Sequence, residues 1–250
     1  MEIDGHTPTE AEYRTLAISQ YGHFTAMGVR DGRVRGLDLH LARLTANNRE
    51  MFGADLDPDL IRAHVRHALG DQKDGLVRVL VVSAADGPPC VVVTVRPPGG
   101  PPNPPHTMRS VPYQRPLAHI KQIGGGFGQA YYQRMAQREG FAEALFTGPD
   151  GVIAEGAITN VGFVDGDVIV WPDAPALAGI TMQLLRAHPD LRHRSATVRL
   201  ADLGSYQSVF ITNARGIVPV GRIDDVTLPI DEAFMKTVDA AYDSIPWDRF

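Results

Sequence analysis

Glu143-Ala-Leu-Phe-Thr-Gly-Pro-Asp-Gly-Val-Ile-Ala-Glu-Gly-Ala-Ile-Thr-Asn-Val-Gly-Phe-Val-Asp-Gly-Asp-Val-Ile-Val-Trp171 is the stretch that decides the fold. Short apolar runs at residues 143–147, 152–154, 161–164 and 168–171 are interrupted by Asp150-Gly151 and Asp165-Gly166. Asp-Gly between apolar runs is a strong hairpin signal, because both residues tolerate a positive φ. Two such turns this close together predict antiparallel hairpins rather than a doubly wound parallel sheet, which needs long crossovers. The expected class is α+β.

Working towards the N-terminus, Pro97-Pro-Gly-Gly-Pro-Pro-Asn-Pro-Pro105 can join neither a helix nor a central strand. It reads as a stiff linker. The expectation is two mixed α/β domains, 1–105 and 106–250, with Lys121 on the second. In the first, residues 21–29 and 33–37 flank Asp31-Gly32 as a hairpin. Asp38 is the expected N-cap of a helix reaching Phe52, with Leu41, Leu44 and Met51 on one face and Gly53 as its stop. Pro58 opens a second helix over 59–69, closed by Gly70, and residues 76–82 and 90–95 read as paired buried strands. In the second domain, residues 112–120 are expected to be extended. A helix follows over 129–139, then the hairpins, a short helix at 181–187, a strand at 208–212 and a final helix at 231–242.

Composition narrows the function classes. The chain has 250 residues, 44% hydrophobic and 21% charged, which describes a folded chain with a real core. A formal charge of −5 argues against a nucleic-acid partner. The N-terminus is polar, and no apolar run approaches the roughly 20 residues that a membrane span needs, so the cytoplasm is the expected location. Cys90 is the single cysteine and reads as a small buried hydrophobe. His64 and His67, three apart on a predicted helix, lack a third ligand, so no metal is expected. No Gly-x-Ser-x-Gly elbow is present. Gly124-Gly-Gly-Phe-Gly128 lacks the context of a nucleotide-binding loop, and reads as backbone freedom beside Lys121 that lets a ligand approach.

The chemistry points to Lys121 and Glu155, 34 positions apart (155 − 121). A lysine amine can form a Schiff base with an aldehyde cofactor, and a carboxylate can keep a pyridinium nitrogen protonated. An ordinary lysine, with a pKa of about 10.4, is almost wholly protonated at neutral pH, so the amine must be desolvated to react. Besides Lys121 the chain has only Lys73, in a polar turn, and Lys236, on the last helix. Only Lys121 has an apolar approach. Gly179-Ile180-Thr181 opens a predicted helix, whose N–H groups and dipole suit an anion.

Asp31-Gly32, His40-Leu-Ala-Arg43-Leu44, Lys121, Glu143-Ala-Leu, Glu155-Gly156, Thr159-Asn160, Gly179-Ile-Thr181, Thr212-Asn213 and Val218-Pro-Val220 occur in this order. In order and spacing the series resembles the fold-type IV pyridoxal phosphate enzymes, over about residues 20 to 225 of the chain. These include the branched-chain and D-amino-acid aminotransferases, R-selective amine transaminases and aminodeoxychorismate lyases. The resemblance implies the D-amino-acid aminotransferase-like fold, with pyridoxal 5′-phosphate as cofactor and Lys121 carrying it as an internal aldimine. It implies that Glu155 faces the ring nitrogen, with Asn160 beside it. Arg43, Ile180, Thr181, Thr212 and Asn213 would hold the phosphate. It further implies a homodimer acting on an amino donor and a keto acid, with Tyr21, Phe24, His119 and Arg215 as candidate substrate contacts.

The chain departs from the family pattern in three places. Relatives carry a tyrosine five residues after the lysine; here that position is Gly126. His119, two residues before Lys121, is a candidate substitute if the segment is a strand; the alternative is an ordinary partly buried histidine. Met182 stands where relatives have arginine, and the loop carrying Arg215 is shorter than in the aminotransferases, as in the lyase-like members. Transamination is the expected activity. The alternatives are a β-eliminating lyase and a ligand-binding relative without cofactor.

Overall fold

The computed structural model describes residues 1–84, 87–123 and 126–250. The chain divides into two compact units. The first comprises Met1–Gly99, Ile120–Gly124 and Pro246–Phe250; the second comprises Gly100–His119 and Gly125–Ile245. Elements are numbered in chain order.

The first unit contains β1 (Glu2–Ile3), α1 (Glu10–Ile18), β2 (Gly22–Arg30), β3 (Arg33–Val34), α2 (Leu37–Phe52), α3 (Pro58–Leu69), β4 (Gly75–Val82) and β5 (Cys90–Arg96). The last strand of the chain, Asp248–Arg249, completes an antiparallel sheet beside β3. The β2–β3 hairpin forms on Asp31-Gly32, where φ is 47° and 67°. In β2, His23, Thr25, Met27 and Val29 alternate inward. Met27 and Val29 join Leu41 and Leu44 of α2 and Val65 of α3 in one apolar core, while His23 and Thr25 extend that face with polar groups.

Three expectations for this unit are corrected. The N-cap of α2 is Gly36 in the left-handed region, and its side makes no capping bond. Asp38 falls inside the first turn, and the Leu37 N–H is taken by the Asp248 carboxylate at 2.9 Å, a long-range partner that local spacing does not reveal. The strand expected over 33–37 therefore stops at Val34. Finally, α1 was not anticipated, although Thr9 and Glu12 form a reciprocal capping box at its start. It buries no residue, so its apolar pattern is weak.

The second unit contains β6 (His106–Val111), α4 (Gly126–Arg138), β7 (Glu143–Thr147), β8 (Ile153–Gly156), β9 (Asn160–Asp165), β10 (Val168–Pro172) and α5 (Ile180–Ala187). It continues with β11 (Arg192–Ala196), β12 (Ser208–Asn213), β13 (Gly216–Ile223), β14 (Val226–Thr227) and α6 (Glu232–Ser244). Its sheet runs β11-β10-β9-β12-β13-β6-β7-β8, with β14 on β13. Both expected hairpins are present, β7–β8 and β9–β10. The sheet is nonetheless mixed, because β6 lies parallel to both β7 and β13, and β11 lies parallel to β10. Residues 112–120, expected as a strand, instead leave β6 and reach a turn at 116–119. The extended segment lies just upstream, at β6.

Strand alternation divides the interior of this sheet. Val209 and Ile211 of β12 face a core with Phe163 and Val170, whereas Phe210 faces Trp171, Leu185 of α5 and Val238 of α6. Gly162 lies opposite Phe210; a Cβ there would stand 2.6 Å from the Phe210 ring. The absence of a side chain is what admits the ring, which packs edge-on to Trp171 at 5.6 Å. Residues 97–103 form neither helix nor strand, and the Gly100 carbonyl accepts from Arg215 Nε at 2.8 Å.

Candidate active site

In the first unit the chemistry gathers around β2. Lys121, expected on the second half of the chain, belongs instead to the first compact unit. It sits outside any strand, but its carbonyl accepts from Phe24 N–H at 2.9 Å, and Gln122 bridges to His23. The backbone is thereby fixed along β2 and the amine is carried to the Phe24 ring, with Nζ 4.8 Å from the centroid. That contact is the cation–π type, worth about 0.5–2 kcal/mol depending on exposure. Of the three lysines, Lys73 and Lys236 are exposed and Lys121 is half-buried.

Behind Phe24, Thr25 Oγ1 lies 2.6 Å from His40 Nδ1, and His23 Nε2 lies 3.4 Å from Asn48 Oδ1. Burial pushes His40 down to about 3, helped by the charges of Arg43 and Lys121. Burial also lowers His23 to about 4, against a raising effect of the Asn48 bond. Both rings are therefore neutral at pH 7. Burial lowers Arg43 to about 10, which leaves its guanidinium charged at neutral pH. Arg43, His40 and Lys121 thus share one electrostatic neighbourhood. Tyr21 is on the same strand end, but it is half-exposed and its hydroxyl donates to the Met51 carbonyl at 2.8 Å.

In the second unit the polar residues come from β8, the start of β9, the end of β12 and the start of α5. Glu155, on β8, pairs across the hairpin with Phe146 and is 4% exposed. Its Oε1 accepts from Arg115 Nε at 2.7 Å, and its Oε2 accepts from Leu177 N–H at 3.0 Å. The Arg115 side chain is itself buried. This charge-assisted pairing fixes the orientation of the carboxylate. Arg115 did not stand out in the sequence; a single arginine in Gln-Arg-Pro has no periodicity to single it out.

Asn160 opens β9 directly opposite Thr212 of β12. Asn160 Nδ2 donates to the Leu177 carbonyl at 2.7 Å, and its Oδ1 packs so close to Gly179 that a Cβ there would lie 1.9 Å away. Glu155 and Asn160 thus grip the same loop, which leads into α5. Gly179 caps α5 without a side-chain bond, so the first N–H groups of that helix, at Ile180 and Thr181, have no side-chain acceptor within the cap. The Thr181 hydroxyl donates to the Asn213 carbonyl at 2.8 Å, tying the helix start to the end of β12. The Thr212 hydroxyl is buried and has no hydrogen-bond partner. An uncapped helix start beside an unsatisfied buried hydroxyl is an arrangement that suits an anion.

The remaining candidates are placed differently. His119 is exposed in the 116–119 turn, so strand alternation does not set it on a face with Lys121. Arg215 is exposed; its N–H bonds Asn213 Oδ1 and its side chain bonds Gly100. Gly124 and Gly125, read as backbone freedom beside Lys121, lie outside the described residues. Among the described residues no cluster of His, Cys, Asp and Glu could hold a metal.

The sequence profile of the family described as amino-transferase class IV matches residues 22–223, which is most of the chain. The chain belongs to the class IV amino-transferases. Solved structures agree in fold. A 4-amino-4-deoxychorismate lyase from Pseudomonas aeruginosa shares 24% identity over 97% of this chain and 98% of its own, with a TM-score of 0.79. A hypothetical aminotransferase from Mycobacterium tuberculosis, in its PLP-bound form, shares 24% over 91% of both chains, with a TM-score of 0.77. The branched-chain amino acid aminotransferase of Escherichia coli shares 17% over 92% of this chain and 90% of its own, with a TM-score of 0.81. No curated protein matches. The α+β reading of two mixed halves therefore stands, as the fold of the class IV amino-transferases.

Proposed function

We propose that this class IV amino-transferase uses pyridoxal 5′-phosphate, carried on Lys121, to transfer an amino group from an amino acid or amine to a keto acid. The observation that carries the reading is the environment of Lys121. It is the one lysine of three that is not exposed, and it lies against Phe24, with its charge and that of Arg43 both felt at the buried His40. A cofactor-bearing amine needs to be held by its surroundings rather than left in bulk water, so that it meets the aldehyde in a fixed orientation.

The bound cofactor supplies an electron sink for the bond broken at the substrate Cα. The chain supplies the rest. Glu155, oriented by Arg115 and the Leu177 N–H, holds a proton on the ring nitrogen. The start of α5 and the Thr212 hydroxyl would hold the phosphate, and the family order adds Arg43 to that set. These residues fit that group: a buried hydroxyl lacks a partner, the helix start lacks a cap, and a buried guanidinium keeps its charge. Asn160 acts through the 177–179 loop by orienting the helix that faces the phosphate. The Lys121 amine would serve as the base that takes the proton from the substrate Cα and, once protonated, as the acid that gives it back. Phe24 orients that amine. Arg215 and Tyr21 are the candidate contacts for substrate, and His119 remains one at the loop before Lys121.

A second reading, β-elimination by a lyase, is favoured by the short turn at Ala214-Arg215 between β12 and β13. One assay separates the two. Incubation of the purified protein with pyridoxal phosphate, an amino donor and an α-keto acid yields the aminated acid if it transfers. Release of pyruvate from aminodeoxychorismate, without keto-acid amination, supports the lyase. Failure of the protein to take up pyridoxal phosphate rejects both and leaves a cofactor-free binding protein. We extend the same proposal to a cytoplasmic homodimer, for which size-exclusion chromatography gives the test of assembly. Among the described residues no helix is long and apolar enough to cross a membrane.

A further inference from the structure

Glu155 and Asn160 stand at the two ends of a tight turn, residues 156–159. That turn is held from inside the second unit by a residue that the proposed chemistry does not use. Glu143 of β7 is 1% exposed. Its Oε1 accepts from Ile158 N–H at 2.7 Å and from the Thr159 hydroxyl at 3.0 Å. Its Oε2 lies 3.1 Å from Nε2 of His106, which is also buried. The approach is close: a Cβ at Gly156 would stand 2.5 Å from Glu143 Oε1 and 2.2 Å from Thr159 Oγ1. The turn can therefore sit on this carboxylate only with glycine at 156.

From this turn the connections run outward. Glu155 holds the Leu177 N–H and Asn160 holds the Leu177 carbonyl, so both ends of the turn fix the loop that opens α5. A shift of the turn would move the proposed ring-nitrogen partner and the proposed phosphate-binding helix start together. We infer that Glu143, backed by His106, is a positioning residue: its buried carboxylate sets the 156–159 turn, and through it Glu155 and the start of α5. The inference rests on the reading of Glu155 and α5 given above.

A buried carboxylate that accepts two such bonds cannot be removed without leaving both donors unsatisfied. A glutamine can keep the arrangement, since its amide oxygen accepts from Ile158 and Thr159 and its amide nitrogen can donate to the imidazole. The test compares Glu143→Ala, Glu143→Gln and Thr159→Val with the wild-type full chain. Two readouts are used: amide hydrogen exchange of residues 156–160 in the cofactor-free protein, and affinity for pyridoxal phosphate by absorbance titration. Glu143→Ala is expected to speed exchange in this segment and to weaken pyridoxal phosphate binding, each about tenfold or more, while Glu143→Gln recovers most of both. Thr159→Val removes one donor and is expected to weaken binding about fivefold.

Wild-type exchange and affinity in Glu143→Ala would overturn the inference. So would a glutamine variant as impaired as the alanine one, because the role would then be charge rather than position. If Glu143→Ala does not fold, Thr159→Val decides, and its wild-type affinity and exchange would overturn the inference. If the wild-type protein takes up no pyridoxal phosphate, the proposed function fails, and the exchange readout still tests the clamp.

Discussion

Lys121 and Glu155 are held in opposite ways. Glu155 lies on a strand inside a hairpin, and named side-chain and backbone donors fix its carboxylate in a buried site. Lys121 lies on an irregular segment that borrows order from β2 through a backbone bond at Phe24 and a bridge at His23–Gln122. A group that only has to stay aimed at one atom can be locked. A group that must exchange partners and carry a proton needs freedom about its own bonds, and a half-buried side chain against an aromatic face allows it. On the proposed reading, the partner of the ring nitrogen is the locked group and the nucleophile is the freer one.

The largest expected effect falls on the mobile side of this comparison. Lys121→Ala removes the amine that both holds cofactor and moves the proton, and turnover should fall by about a thousandfold or more. Rates measured at saturating pyridoxal phosphate check it; full turnover in this variant would break the comparison at its root. On the locked side, Glu155→Ala should lower kcat by about a hundredfold, with fold and melting temperature reporting separately on the loss of the Arg115 pair. A kcat close to wild type would show that the carboxylate is structural only.

The Thr212 hydroxyl gives a sharper test, because its two roles have opposite signs. Without cofactor, Thr212→Val removes a buried unsatisfied oxygen, so stability to urea should stay level or rise. With cofactor, the lost donor should weaken pyridoxal phosphate binding about tenfold. Loss of stability in the cofactor-free variant would mean that the hydroxyl already had a partner, and that it does not await a phosphate.

A pH dependence is expected to centre on the first unit. His40 and His23 have folded values of about 3 and 4, below the ordinary value of 6.5. The unfolded chain therefore binds protons first as pH falls. Their contribution is fully present above about pH 6.5 and is lost towards their folded values, at up to about 1.4 kcal/mol per pH unit for each ring. Hydrogen exchange at pH 5 against pH 7 should loosen β2 and α2 more than the hairpins of the second unit. Equal loosening of both would contradict the assignment of buried neutral histidines.

The same contrast explains what was legible in the sequence. The hairpins and Glu155 could be read because Asp-Gly turns and strand alternation are local signals; Asp31, Gly32, Asp150, Gly151 and Gly166 have positive φ, while Asp165 ends β9 and the turn passes through Gly166 and Asp167. The capping of α2 by Asp248 could not, since the partner lies at the far end of the chain. Neither could β6, whose parallel neighbours come from distant segments. Pro219 lies within β13, opposite Phe210, a position where proline argues against a strand. In the candidate site, Lys121, Arg43 and Glu155 followed from chemistry and family order. Arg115 and Glu143 did not, because a positioning residue is defined by what it touches, and only the fold brings those contacts together.

The most direct test of the central claim is to incubate the wild-type protein with pyridoxal phosphate, reduce it with borohydride and map the labelled peptide by mass spectrometry. The account predicts a single phosphopyridoxyl adduct on the peptide containing Lys121. An adduct confined to Lys73 or Lys236, or no adduct at all, would contradict it.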